Sequence, residues 1–224
     1  MKKLIKIILI LFLIIACKDA TEKIGEATQA IDNLEKIADS AQDAQKNIEE
    51  LAKMSPVTKE TIKAWMPDEL EDLKRTKYDI GKQMGFAQIS NVQLTFKTED
   101  KKKGIDVKIL DGAGNGASVI SMNNLMLQVD VDSESETGYK RTEIFDGQKL
   151  LVDYSNPKYA NRSLFKYIVD NRIYVEARGW QMEPNALWKY LKQLKIEKLL
   201  NSLDDEKLQI NTVFISFFSG IPIV

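Results

Sequence analysis

The 224-residue chain has no histidine, and that absence excludes more chemistry than any motif in it includes. Without imidazole there is no Ser-His-Asp or Cys-His nucleophile system, no His-Cys zinc cluster and no HExxH metalloprotease helix. Any catalysis would rest on carboxylates, tyrosine, lysine or serine. Cysteine occurs once, at position 17, so no disulfide can form within one molecule. A basic excess is missing too, with 32 lysines and arginines against 33 acids. That balance disfavours a phosphate backbone as partner, and with it nucleic acid. Prolines are few, and none lies between Ala20 and Met54.

What is present begins with a basic start, Lys2, Lys3 and Lys6, followed by the uncharged run Ile7 to Ala16. Ten residues at ~1.5 Å each make a helix of about 15 Å, half of a hydrocarbon core of about 30 Å. Residues 1–16 therefore read as a secretory signal, with an ordinary membrane anchor as the competing reading. The tetrad Ile14-Ile15-Ala16-Cys17 resembles the lipobox of bacterial lipoproteins. The resemblance implies diacylation of the Cys17 thiol (palmitate or a similar acid), cleavage before it and acylation of the new amino terminus. At about 0.8 kcal/mol per buried methylene, several acyl chains would hold the mature protein on a membrane. Removing Lys2, Lys3 and Lys6 leaves 29 basic against 33 acidic side chains, formally −4. The residue after Cys17 is Lys18 and not the aspartate that retains enterobacterial lipoproteins at the inner membrane. Lys18-Asp19 is also similar to the start of the export signal of Bacteroidetes-type surface lipoproteins. The expected location is the outer membrane, lipid-anchored, on its periplasmic side or at the cell surface.

From Ala20 to Met54, alanine, glutamate, lysine and glutamine dominate and only Gly25 interrupts them, which predicts one long helix. With Ile24 as heptad position a, the a positions are Ile24, Ile31, Ala38, Gln45 and Ala52, and the d positions Ala27, Leu34, Ala41 and Ile48. No charge falls on that seam, so the segment is either a stalk that pairs with a partner protein or a solvated spacer. Residues 17–55 thus form the lipid anchor and helical stalk.

A globular domain is expected over 56–200. Thr58 caps a short helix carrying Ile62 and Trp65, and Pro67 is read as the start of another, with Leu70 and Leu73 on one face. Phe86 to Thr98 and the alternation Ile105, Val107, Ile109 predict a hairpin; Ala117 to Val129 predicts a helix. Asp146-Gly147 and Asp170-Asn171 mark two further hairpins, giving four strands in a meander. From Pro184, a last helix presents Leu187, Trp188, Leu191, Leu194 and Ile196 to one face of the sheet. The expected fold class is α+β: a long N-terminal helix, then an antiparallel sheet of about six strands with packing helices. Pro67-Asp68-Glu69-Leu70, Arg75-Thr76 and Asp111-Gly112-Ala113-Gly114 resemble elements of small uncharacterised envelope lipoproteins of Bacteroidetes-type bacteria. The resemblance covers roughly residues 60–200 and implies no activity. Residues 201–224 end in an almost wholly apolar stretch from Thr212, read as a packed last strand or a docking segment.

Three constellations invite a chemical reading. Gly112-Ala113-Gly114-Asn115-Gly116-Ala117, with Asp130 and Asp132 following, fits the G-x-G-x-x-A dinucleotide fingerprint, but the hairpins around it do not fit a parallel sheet. A plain turn is the expected alternative, and an anion at the start of the following helix a weaker one. Asp130, Asp132, Glu134 and Glu136 offer closely spaced oxygens for a hard cation, yet the sixth and twelfth places of a calcium loop are Ser135 and Arg141, so a solvated acidic loop is expected. Trp65, Trp180, Trp188, Tyr154, Tyr167, Tyr174 and Tyr190 read as packing aromatics. No catalytic residue, metal ligand or cofactor is assigned; Cys17 is the one residue given a chemical role. The expectation is a non-enzymatic, lipid-anchored binding or scaffold module of the cell envelope. Its rivals are a carrier of a lipophilic ligand, held between the sheet and the helix from Leu187 to Ile196, and a carboxylate-dependent hydrolase.

Overall fold

The computed structural model describes residues 43–81 and 89–200. The signal, Cys17, residues 20–42 of the stalk segment, the beginning of the Phe86–Thr98 segment and the tail 201–224 lie outside them. The chain runs from helix α1 (43–53) through α2 (Lys59–Trp65) to strands β1 (Glu69–Leu70), β2 (Leu73–Ile80), β3 (Asn91–Lys97) and β4 (Gly104–Asp111). Helix α3 (Ala117–Gln128) leads to β5 (Asp132–Ser135), β6 (Gly138–Phe145), β7 (Gln148–Ser155), β8 (Arg162–Val169) and β9 (Ile173–Trp180). The last elements are α4 (Pro184–Gln193) and α5 (196–200).

All strands join one antiparallel sheet in the order β1-β2-β3-β4-β9-β8-β7-β6-β5. Two meanders, β1 to β4 and β5 to β9, meet where β4 pairs with β9, Val107 opposite Ala177. The α+β class and the antiparallel sheet are as expected. The sheet has nine strands among the described residues and not about six, and the additional strands have separate causes.

At Pro67 the expected helix is instead a hairpin. Leu70 and Leu73 are both sealed in the core, as i and i+3 on a helix would be, but they are cross-strand partners around a turn in which Glu71 takes φ 53°. A three-residue spacing is common to one helical turn and to a two-residue hairpin loop, and Pro67 serves either. Strand β2 lacks alternation because its register slips between Arg75 and Lys77, a bulge that shifts which side chains face inward. The expected acidic loop is in part strand β5, a short charged edge that leaves little for another chain to pair with.

One face of the sheet carries the main core. Phe96, Ile105, Phe165 and Val175 are fully buried there, under Ile62 of α2, Leu187 and Leu191 of α4 and Leu199 of α5. Each such side chain contributes about 1.5–3 kcal/mol relative to exposure. Helix α4 therefore covers the face that its apolar spacing predicted, but the expected run to Ile196 breaks after Gln193, and Ile196 belongs to α5. The opposite face is covered only at one end, where Leu51 of α1 and Ala117 and Ile120 of α3 pack on Leu110 and Tyr174. Elsewhere it is polar, with Lys77, Asp79, Thr95, Asp106, Lys108, Glu176 and Arg178 lining a shallow depression. Thr95 donates to Asp106 at 2.7 Å, and Lys77 pairs with Asp79 at 2.8 Å.

Helix α1, the described end of the segment expected as a long helix, corrects the seam read from the sequence. Within 43–53 the a positions Gln45 and Ala52 are exposed, whereas Ala44, Ile48 and Leu51 turn inward. Burial there follows positions d and g of the heptad, the stripe of a helix lying on a domain, and not the a/d seam of a coiled coil.

Candidate functional site

A cleft of about 510 Å³ opens on the main-core side, where the β6–β7 turn, β8, the end of α4 and the start of α5 come together. Its walls include Tyr167 and Val169 from β8, Trp188 and Leu191 from α4, and Ile196 from α5. Its rim carries Asp146, Gln148, Lys192, Lys195 and Glu197. The volume lies in the range of small-molecule sites, roughly 300–1,000 Å³, and the pattern of an apolar interior with a few polar groups is theirs too.

Each wall is held by a local cause. Asp146 and Gly147 both take positive φ, 48° and 84°, as the two-residue Asp-Gly turn requires. Asp146 then accepts from the Trp188 indole Nε1 and from Lys192 Nζ, both at 2.9 Å, tying the hairpin tip to α4. The Lys192 ammonium, with the Trp188 N–H second, holds the Asp146 carboxyl below the ordinary carboxylate value. Trp188 sits among Phe145, Phe165 and Tyr167, with ring centroids at 5.8, 6.5 and 5.8 Å, the last edge-on. On the other side, α4 ends with Lys195 in the left-handed conformation, φ 50°, where glycine is the usual occupant. The Trp65 indole of α2 donates to the Leu194 carbonyl at 2.9 Å and fixes that turn. Lys195 and Glu197 are thereby placed on one rim.

Tyr167 is the polar group inside. Its side chain is 3% exposed and borders the cleft, and its hydroxyl is not one of the buried polar atoms left without a partner among the described residues. Burial first, and the Glu197 carboxylate second, push its pKa up, so the hydroxyl keeps its proton and remains a donor at any physiological pH. Lys195 and Glu197 lack ion-pair partners among the described residues, whereas Lys192 and Asp146 are paired to each other.

The motifs singled out in the sequence have other places. Asp111 of the Asp-Gly-Ala-Gly loop is buried and receives Arg172 through two hydrogen bonds, Nε at 2.7 Å and Nη2 at 3.0 Å. It also accepts from Val57 N at 2.7 Å and Ala113 N at 3.0 Å, while Arg172 donates to the Ser55 carbonyl at 3.0 Å. The carboxylate thus serves the loop amide that an anion would have used. A Cβ at Gly112 or Gly116 would come within 3.0 Å of the chain's own backbone, so these glycines admit protein and not phosphate. Strand β4 before the loop has only antiparallel neighbours, and α3 leads to the sheet edge, which is not a dinucleotide unit.

Arg75 donates to the Met66 and Pro67 carbonyls at 3.1 and 2.7 Å and pairs with Asp68, closing α2 onto the β1–β2 hairpin. Asp132 and Glu134 both face Arg141, at 3.6 and 3.0 Å, and Asp130 pairs with Lys149. Among the described residues no three acids, cysteines or histidines converge as a metal would need. A cluster of Tyr190, Asp72 and Lys103 joins α4 to the β1–β2 and β3–β4 turns. The Tyr190 hydroxyl and then Lys103 lower the Asp72 carboxyl, while burial raises the Tyr190 phenol, so the cluster holds an ion pair and a protonated tyrosine rather than a free base. Tyr154 stacks at a tilt on Tyr139, Tyr174 donates to Glu176, and Trp180 lies under Lys97.

Sequence reasoning had Trp188 and Leu191 on the covering face but treated Tyr167 as packing and missed Lys192, Lys195 and Glu197. The available signal was the interruption of the amphipathic pattern at Lys195 between Leu194 and Ile196, which ends one helix and turns two charges to one side. Comparison of the chain with protein-family models, with curated proteins and with solved structures finds no match.

Proposed function

We propose that this chain is a lipid-anchored binding module of the cell envelope, non-enzymatic, whose ligand site is the cleft between β8 and the α4–α5 turn. The observation that carries the binding reading is the cleft itself, with apolar walls from Val169, Trp188, Leu191 and Ile196 under a rim whose Lys195 and Glu197 form no ion pair with a described residue. Anchoring rests on the Ile14-Ile15-Ala16-Cys17 tetrad, with Lys18 favouring the outer membrane. The helix-forming composition of 20–54 supports a stalk that continues α1 toward the lipid and presents the domain to a partner protein or an envelope ligand.

A carrier of lipophilic ligands is the second reading, favoured by the place of the cleft between the sheet and the α4–α5 segment that carries Leu187 to Ile196. The rim of charges and the modest volume fit a small amphipathic molecule better than a whole lipid. A carboxylate hydrolase has less support, since Asp146 is already committed to Lys192 and Trp188.

The test is native mass spectrometry of the intact protein drawn from its own membranes in mild detergent. Wild type is expected to carry a small-molecule mass that Val169→Trp, which fills the cleft, lacks. An identical adduct pattern in the two proteins would remove the cleft from the function. In the same preparation Cys17→Ser should leave the membrane fraction or remain as uncut precursor, and equal incorporation of labelled fatty acid into that variant would sink the anchor.

A further inference from the structure

We infer that the cleft takes a zwitterion of amino-acid size with a large apolar side chain, a free amino acid such as phenylalanine being the simplest member of the class. The inference rests on the cleft being a ligand site and adds what that ligand is. Three features select it. The rim offers one cation, Lys195, and one anion, Glu197, which are paired neither with each other nor with any other described residue. Both belong to the same turn, held by the Trp65 indole on the Leu194 carbonyl. Beneath them lie an indole, Trp188, and the aliphatic walls Leu191, Ile196 and Val169, a surface for one large side chain.

A ligand with its ammonium on Glu197 and its carboxylate on Lys195 uses both charges left without an ion pair among the described residues and leaves the net charge of the rim unchanged. A purely anionic amphiphile would leave Glu197 facing it, and a purely cationic one would meet Lys195 and the already paired Lys192. The buried Tyr167 donor supplies the third point, to a carboxylate oxygen of the ligand, and a third point fixes which way an amino acid enters. Charge-assisted contacts at an open rim are weakened by solvent, so dissociation constants of micromolar or weaker are expected.

The test is titration calorimetry of the mature full-length protein with four probes: L-phenylalanine, N-acetyl-L-phenylalanine, L-phenylalanine amide and glycine. L-Phenylalanine should bind, and loss of the ammonium, the carboxylate or the side chain should each weaken binding about tenfold or more, the equivalent of roughly 1.4 kcal/mol. Glu197→Gln should erase the preference over the N-acetyl probe, and Lys195→Gln the preference over the amide, with the melting temperature unchanged in both. Equal binding of the capped probes, or no heat with L-phenylalanine, would overturn the inference. If L-phenylalanine fails while membrane-drawn wild type keeps an adduct that Val169→Trp loses, the ligand class falls and the cleft stands; if both fail, the cleft falls with it.

Discussion

Asp111→Asn is expected to cost about 3–5 kcal/mol, the loss typical of breaking a buried ion pair from one side. For a domain of this size that corresponds to a fall in melting temperature of roughly 10 °C. Asp111 is 3% exposed and its two oxygens accept from Arg172, Val57 N and Ala113 N. The amide would keep one acceptor oxygen, turn an NH2 group toward backbone N–H donors and leave the Arg172 guanidinium without its counter-charge. The damage would be shared by several elements. Arg172 also holds the Ser55 carbonyl, so the pair joins the β8–β9 turn, the start of the Gly-rich loop and the α1–α2 connection. Arg172→Met alone should cost a similar amount. Asp111→Asn with Arg172→Met should cost less than the sum of the single changes, because no buried charge is then left over. Denaturant unfolding of the four proteins checks this; additive losses would mean that the two residues do not act as a pair.

Trp188→Ala should cost about 3 kcal/mol, the low end for an aromatic truncated in a core, since part of the ring borders the cleft. It removes contacts with Phe145, Phe165 and Tyr167 together with the hydrogen bond that ties Asp146 to α4. Trp188→Phe keeps most of the ring packing and gives up the indole N–H, so its cost should be near 1 kcal/mol, one hydrogen bond to a charged group at the surface. Amide hydrogen exchange should show the difference: the β6–β7 turn loosens in both variants, the end of α4 only in Trp188→Ala. Equal exchange in the two would place the effect on the lost indole hydrogen bond alone.

Much of the fold is legible in the sequence, and the reason is local. Asp146-Gly147 and Asp170-Asn171 carry the positive φ values that two-residue hairpins demand, Ile105, Val107 and Ile109 alternate, and the stripe from Leu187 to Ile196 has one face. Where reading fails, two structures share one pattern. Leu70 and Leu73 satisfy a helix or a tight hairpin, and only the core that seals both, together with Arg75 clamping the carbonyls of Met66 and Pro67, selects the hairpin. The bulge between Arg75 and Lys77 hides the alternation of β2. The motif residues Asp68, Arg75 and Asp111 are fastenings of the fold, so a shared sequence pattern built on them speaks for architecture rather than for activity.

The cleft was the least legible part because its members are ordinary singly. Tyr167 comes from a strand in the middle of the second meander, Trp188 from the closing helix, Asp146 from a hairpin tip and Lys195 from a helix end. No spacing along the chain relates them. They meet because α4, which follows β9, packs back on β8 and is tied to the β6–β7 turn through Asp146. The Gly-rich loop, the most conspicuous pattern in the chain, has a packing role: Gly112 lets the backbone approach Arg172 and Ile120 closely.

The most direct test is Tyr167→Phe, measured for thermal stability without ligand and for retention of the membrane-derived adduct. Phenylalanine keeps the edge-on ring contact with Trp188, so the melting temperature should hold. Binding should fall about tenfold, the loss of one hydrogen bond to a charged acceptor. A melting temperature several degrees lower, with the adduct kept, would make Tyr167 a structural residue and contradict the cleft as the site of function.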